Sequence, residues 1–341
     1  MPENDFFAGI DAQLDTWEFR TLADAFKPRP PLQYAITGLF TLPSLTIVFG
    51  APGTLKSMLL GSAALHVAGG LPWLGRKVKA FPTMWLDMDN GKRRTDERFE
   101  ALARHLGLNE GTPFFYISMP TPMFNAGDTG DTEAMVNRMI SRGIKLLFID
   151  NLGLISPGAD ENSDAMVKVM GNLRLLAERT DAAVVIIHHQ RKKSKQTQTA
   201  RTGETLRGHS SIEASLDLAL LVEREFDSDI ITVHSTKTRD TEVRPFAAEW
   251  RYEHKPGTDE LETAGFVSAE GENSSETVLE KAIIETVSSN ALINQTKLKD
   301  DVMKLTGIGR NQVINMIRAL EVRKALNVKP GSNNEKLYYI E

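Results

Sequence analysis

Residues 50–57 read Gly-Ala-Pro-Gly-Thr-Leu-Lys-Ser, directly after the apolar run 45–49 and directly before the apolar stretch 58–67. A strand, a glycine-rich turn carrying Lys56 and Ser57, and a helix are the parts of a phosphate-binding loop. Backbone N–H groups of Gly50, Ala51, Gly53, Thr54 and Leu55 and the positive helix N-terminus face the phosphates, and Pro52 contributes shape rather than a donor. Lys56 then reaches the β- and γ-phosphates, and the Ser57 hydroxyl holds Mg²⁺. The usual pattern has glycine at 55, and this chain has Leu55. Gly50 and Gly53 still allow close backbone approach, and Leu55 is tolerated if its side chain points away from the phosphates. The plainer alternative is an ordinary Gly/Pro turn between a strand and a helix.

Other polar residues sit at the ends of apolar runs. Lys145-Leu-Leu-Phe-Ile-Asp150 ends in a carboxylate suited to Mg²⁺, directly or through water. Met84-Trp-Leu-Asp-Met-Asp89 ends in two, Asp87 and Asp89, which share a strand face. Asp89 is the preferred general base for an attacking water, with Asp87 second and a solvated acid pair as the alternative. Val184-Val-Ile-Ile-His188-His189-Gln190 places two histidines at a strand tip, where they can sense a γ-phosphate. Zinc is not expected at His188 and His189, because no third ligand stands nearby in sequence.

Positive charge is local. The chain has 341 residues and a net charge of −5. Segment 191–207 nevertheless carries Arg191, Lys192, Lys193, Lys195, Arg201 and Arg207 against Glu204, a local charge of +5. Lacking apolar anchors, it reads as a loop for nucleic-acid phosphates or as a merely solvated one. Ser235-Thr-Lys237-Thr-Arg239-Asp240 ends another apolar run, where Lys237 and Arg239 suit a neighbouring subunit's nucleotide or simple surface pairing.

The elements that must position these groups follow from periodicity. Apolar runs at 45–49, 83–87, 114–117, 145–150, 183–188, 216–222 and 230–235 alternate with helical stretches at 95–106, 132–142 and 165–179. This predicts an α/β fold, a mostly parallel sheet with helices on both faces and ligands at the strand carboxyl ends. Residues 1–40 read as an N-terminal arm, 41–265 as the main domain and 266–277 as a linker. The remainder, 278–341, reads as three helices followed by a hairpin, a small winged helix-turn-helix plan. There Arg310, Asn311 and Gln312 open the third helix and can face a DNA groove.

Composition narrows the class. There are no cysteines, which excludes disulfides, thiolate metal sites and cysteine nucleophiles. No apolar run approaches the ~18 residues that span a bilayer, so no membrane partner is expected. Residues 1–20 are acidic and mixed rather than a leader, and a cytoplasmic location is expected.

As a set, 50–57, Leu-Asp-Met-Asp-Asn at 86–90, Leu-Phe-Ile-Asp-Asn at 147–151, His-His-Gln at 188–190, Arg-Gly-His-Ser-Ser at 207–211 and 235–240 resemble the RecA-like P-loop ATPases of the AAA_25 group. That group includes the RepA-type replicative helicases of plasmids and phages. The resemblance spans about residues 20–252 and implies a homohexameric ring with ATP and Mg²⁺ between subunits. It implies Walker A roles for Lys56 and Ser57, and a Walker B role for Asp150. Asp89 then stands at the catalytic acid and His188 and His189 at the γ-phosphate sensor. Arg207, or Lys237 with Arg239, acts in trans. The 191–206 loop lines a channel for single-stranded DNA. A DNA-dependent helicase or translocase is the first reading, a slow ATP-switched DNA-binding regulator or loader the second, and a signalling ATPase without DNA the third. Replacing Lys192, Lys193 and Lys195 with Ala is expected to weaken single-strand binding and to reduce the magnitude of its log–log salt slope by roughly 2, measured by fluorescence titration across ionic strengths.

Overall fold

The computed structural model describes residues 20–160, 163–189, 210–239, 243–269, 275–290, 292–322, 325–331 and 335–340. Residues 1–33 and 34–341 form two units. In the first, helix α1 (Leu22–Ala25) starts with a capping box: the Asp24 amide donates to the Thr21 hydroxyl, and the Thr21 amide donates to the Asp24 carboxylate.

Strands β1 (Gln33–Ile36) and β2 (Phe40–Leu42) form a two-stranded sheet. Then follow β3 (Ser44–Gly50), α2 (Lys56–Gly69), β4 (Thr83–Asp87), α3 (Lys92–His105), β5 (Phe114–Ser118), α4 (Thr129–Arg142), β6 (Leu146–Asp150), α5 (Leu152–Ile155), α6 (Asp164–Thr180), β7 (Ala183–His189), α7 (Ser210–Ser215), β8 (Leu218–Arg224), β9 (Ile230–Thr238), β10 (Phe246–His254) and β11 (Leu261–Ser268). Nine of these strands make one sheet in the order β11-β10-β9-β8-β3-β7-β6-β4-β5. Pairings from β8 through β5 are parallel, and those among β8, β9, β10 and β11 are antiparallel. The mostly parallel α/β sheet expected from the sequence is therefore present.

Both faces are covered. Val48, Trp85, Phe148 and Val185 pack under α2 and α3, and Trp85 stacks on Phe148 at 5.5 Å. Their strand neighbours Ile47, Met84, Leu147 and Val184 pack under α4 and α6. This alternation is the two-residue period of a strand, with apolar side chains on both faces because neither meets water.

The structure differs from the sequence reading at two boundaries. Ala35, Ile36, Leu39 and Phe40, assigned to the arm, are buried in the main core. Residues 266–268, assigned to the linker, continue β11, and Phe266 is buried against Trp250 at 4.8 Å. Strands β10 and β11 were not anticipated. The outer half of β10 carries Arg251, Tyr252, Glu253 and His254, all exposed, and this hides the strand pattern.

The C-terminal segment comprises α8 (Ser275–Ser289), β12 (Ile293–Asn294), α9 (Gln295–Thr306), α10 (Arg310–Val322), β13 (Asn327–Pro330) and β14 (Lys336–Tyr339). The strands form an antiparallel sheet in the order β12-β14-β13. Its core is its own, built from residues such as Leu279, Ile283, Leu298, Val313, Ile317 and Tyr338. Asn294 caps α9 by accepting from the Lys297 amide at 2.8 Å. No helix among the described residues is long and apolar enough to cross a membrane.

Asp217 ties the amino end of β3 to its surroundings. Its carboxylate accepts from the Leu45 amide at 2.8 Å and pairs with Arg174 and with Arg239. Asp217→Ala leaves the buried Leu45 amide unpaired, and a loss of about 1–3 kcal/mol is expected in urea denaturation.

Candidate functional site

Four parallel strands end together. Register pairs Gly50 with His189, Asp150 with Ile187 and Asp87 with Asp150, so residues distant in sequence share one end of the sheet. The loop after β3 is shaped by backbone packing at Gly50, where a Cβ would lie 2.3 Å from the Val222 carbonyl oxygen. Leu55 adopts the left-handed conformation (φ 61°, ψ 20°) just before α2. That costs a non-glycine residue roughly 1 kcal/mol. Its partly buried side chain packs on the core, the orientation the sequence required of it.

Lys56 is buried and folds back on its own loop. Its ammonium donates to the carbonyls of Gly50 (3.0 Å) and Ala51 (2.8 Å) and to the Thr54 hydroxyl (3.2 Å). Burial pushes this ammonium down to about 8, against the opposing pull of the Asp150 carboxylate. Ser57 donates to Asp150 Oδ2 at 2.7 Å, which joins the loop to β6. Asp150 is 1% exposed, and its second oxygen, Oδ1, has no partner among the described residues. Burial pushes its carboxyl up to about 6, with the Ser57 hydrogen bond pulling the other way. A buried, half-satisfied carboxylate beside a serine hydroxyl fits the donor set that a hydrated Mg²⁺ would satisfy.

The aspartate that ends β4 and the one two residues beyond it have different surroundings. Asp87 is fully buried and accepts from the hydroxyls of Thr95 and Ser118 (2.8 Å), the amides of Asp89 (3.1 Å) and Asn90 (3.0 Å), and the Asn90 side chain (3.0 Å). Burial pushes its carboxyl up, but these donors together hold it below the usual range. It is a structural anion, which argues against it as the second candidate base. Asp89 is exposed, and one ligand-type atom each from Asp89, Asp150 and His189 lie within 4.8 Å of one another. Asp89 and Asp150, distant from His189 in sequence, are thus brought beside it. His188, one residue earlier and buried, points to the opposite face by strand alternation. Burial, then the Lys56 charge, lowers the His189 ring below its ordinary value.

Several groups escaped sequence reasoning. Thr95 and Ser118 saturate Asp87, and Arg98 donates to Asn90 Oδ1 at 2.8 Å beside a cavity that Ser57 also lines. Arg224, ending β8, donates to the Gly53 carbonyl at 3.3 Å. The available signal was a polar residue ending an apolar run, at Ser118 and Arg224.

Lys237 and Arg239 do not join this cluster. Lys237 donates to the Glu213 carbonyl, and Arg239 to the Ala214 carbonyl at 2.5 Å and to Asp217. Asp217 holds Leu45, at the other end of β3 from Gly50, so neither cation reaches its own chain's loop. Arg310, Asn311 and Gln312 form the first turn of α10, with Arg310 and Gln312 exposed. Arg191, Lys192, Lys193, Lys195, Arg201 and Arg207 lie outside the described residues.

The family model AAA_25, described as an AAA domain, matches residues 12–195, more than half of the chain. The chain belongs to the AAA_25 family. No curated protein matches it in sequence. Among solved structures it is similar to that of a DnaB-like replicative helicase, studied with its interactions with primase. Identity there is 12%, over 76% of this chain and 71% of that one, with a TM-score of 0.54. It is also similar to the RadB recombinase, at 16% identity over 68% and 93% of the respective chains with a TM-score of 0.47. The first likeness is one of fold, and with the AAA_25 match it identifies a RecA-like P-loop ATPase core.

Asp150 binds its proton more tightly in the folded chain than in the unfolded one, where the value is 3.8. Its contribution to stability therefore falls as pH rises from about 4 to about 6, then stays level. The shift corresponds to about 3 kcal/mol. Asp150→Asn is expected to lack this slope and to be more stable than the parent by up to about 3 kcal/mol at about pH 8, measured by urea denaturation across pH.

Proposed function

We propose that this AAA_25 chain is a ring-forming, DNA-dependent ATP hydrolase of the replicative helicase or translocase type, of plasmid, phage or similar mobile-element origin. The observation that carries the reading is the meeting of Lys56, Ser57, Asp150, Asp89 and His189 at one end of the sheet.

ATP would bind with its phosphates against the amides of 50–57 and the N-terminus of α2. Lys56 would exchange the carbonyls of Gly50 and Ala51 for phosphate oxygens. Ser57 and Asp150 would hold Mg²⁺, which when bound neutralises charge on the phosphates. Asp89, exposed beside them, orients the attacking water and takes its proton. His189 reports the γ-phosphate to the 191–206 loop, which grips single-stranded DNA through its lysines and arginines. Lys237 and Arg239, turned away from their own loop, suit a neighbouring subunit's nucleotide, as does Arg207. A homohexamer in the cytoplasm accommodates these roles.

The C-terminal helices α8, α9 and α10 with their three-stranded sheet read as a winged helix, the first turn of α10 offering Arg310, Asn311 and Gln312 to duplex DNA. Its separate core supports a division into an arm, an ATPase domain ending near 268 and a C-terminal domain. A second reading, an ATP-switched regulator with slow hydrolysis, is favoured by Leu55 in the conformation that glycine adopts most easily.

ATP turnover with and without single-stranded DNA separates the two. The helicase reading expects severalfold stimulation by the strand. Turnover indifferent to DNA supports the regulator, and absence of ATP hydrolysis overturns both. Lys56→Ala is expected to lower turnover roughly 100-fold.

A further inference from the structure

We propose that Asp89, Asp150 and His189 form a binding site for a transition-metal dication such as Mn²⁺, one that the protein fills without nucleotide. Asp150 and His189 end β6 and β7, Asp89 follows β4 by two residues, and strand register brings these strand ends together. One ligand atom from each lies within 4.8 Å of the others. Metal–ligand bonds of about 2.0–2.2 Å span ligand atoms up to about 4 Å apart, so small side-chain rotations close the triangle.

An independent observation points to a ligand here. Asp150 is 1% exposed, and while Ser57 occupies Oδ2 at 2.7 Å, Oδ1 is buried with no partner among the described residues. A buried carboxylate oxygen normally has a hydrogen bond or a cation. The other carboxylate, Asp89, is exposed and leaves an entry path for an ion.

The donor set decides the metal class. Mg²⁺ prefers oxygen ligands and keeps several waters. An imidazole with two carboxylates suits Mn²⁺, Co²⁺ or Zn²⁺ better, because nitrogen raises affinity for these ions and does little for Mg²⁺. The site shares Asp150 with the Mg²⁺ role proposed above. Binding itself does not rest on that role, since no nucleotide takes part.

The test uses the full chain, stripped with a chelator and free of nucleotide. Mn²⁺ is added stepwise, and the free ion is read by electron paramagnetic resonance. The expected result is one bound equivalent that an equal concentration of Mg²⁺ does not displace. His189→Gln and Asp89→Asn should each weaken binding at least about tenfold. Asp89 is exposed, so its variant tests the site without disturbing the core, and circular dichroism checks the fold of both. Absence of bound Mn²⁺, displacement by equimolar Mg²⁺, or affinity unchanged in both folded variants overturns the proposal. ATP turnover in the same preparation keeps the two readings apart. Turnover without Mn²⁺ binding removes this site alone, and Mn²⁺ binding without turnover upholds it while removing the ATPase reading.

Discussion

Strands β3, β7, β6 and β4 are buried on both faces, and a one-residue slip in any of their pairings would exchange the side chains under α2 and α3 with those under α4 and α6. The two sets differ in volume, with Trp85 and Phe148 on one side and Ile47, Leu147 and Val184 on the other. Register is thereby held by packing along the whole strand length. Its consequence is chemical. The pairs Gly50–His189, Asp150–Ile187 and Asp87–Asp150 bring the phosphate-loop start, a histidine and two aspartates to one edge.

At that edge, buried charge is handled in two ways. Asp87 is surrounded by donors, so its charge is stable and its geometry stiff. That stiffness organises the turn from which Asp89 projects. Asp150 is left half satisfied, with one oxygen on Ser57 and the other on nothing among the described residues. Lys56 is likewise held on weak neutral acceptors, the carbonyls of its own loop. Groups kept in this way exchange partners readily when an anion or cation arrives, whereas a saturated pair would not.

Much of this was legible in the chain. The apolar runs 45–49, 145–150 and 183–188 announced parallel strands, and their spacing announced the helices between. Leu55, which the loop reading needs turned from the phosphates, packs its side chain on the core. Other features were hidden. Strands β10 and β11 lacked a clear two-residue period since both faces of β10 meet solvent along its outer half. The core role of 35–40 was masked by Thr37 and Gly38, which break its apolar stretch.

Local composition determined that a phosphate-binding loop lies between a buried strand and a helix, because glycines, lysine, serine and flanking apolar residues act within a dozen positions of one another. It also determined which strand tips carry carboxylates and imidazoles. Only the tertiary structure decided which of these converge. Asp89 and His189, a hundred residues apart in sequence, meet Asp150. Asp87 is withdrawn into a hydrogen-bonded shell. Lys237 and Arg239 lie at the far end of β3. The reason is that a strand's own sequence specifies its faces and ends, while its register against neighbours depends on packing summed over the whole sheet.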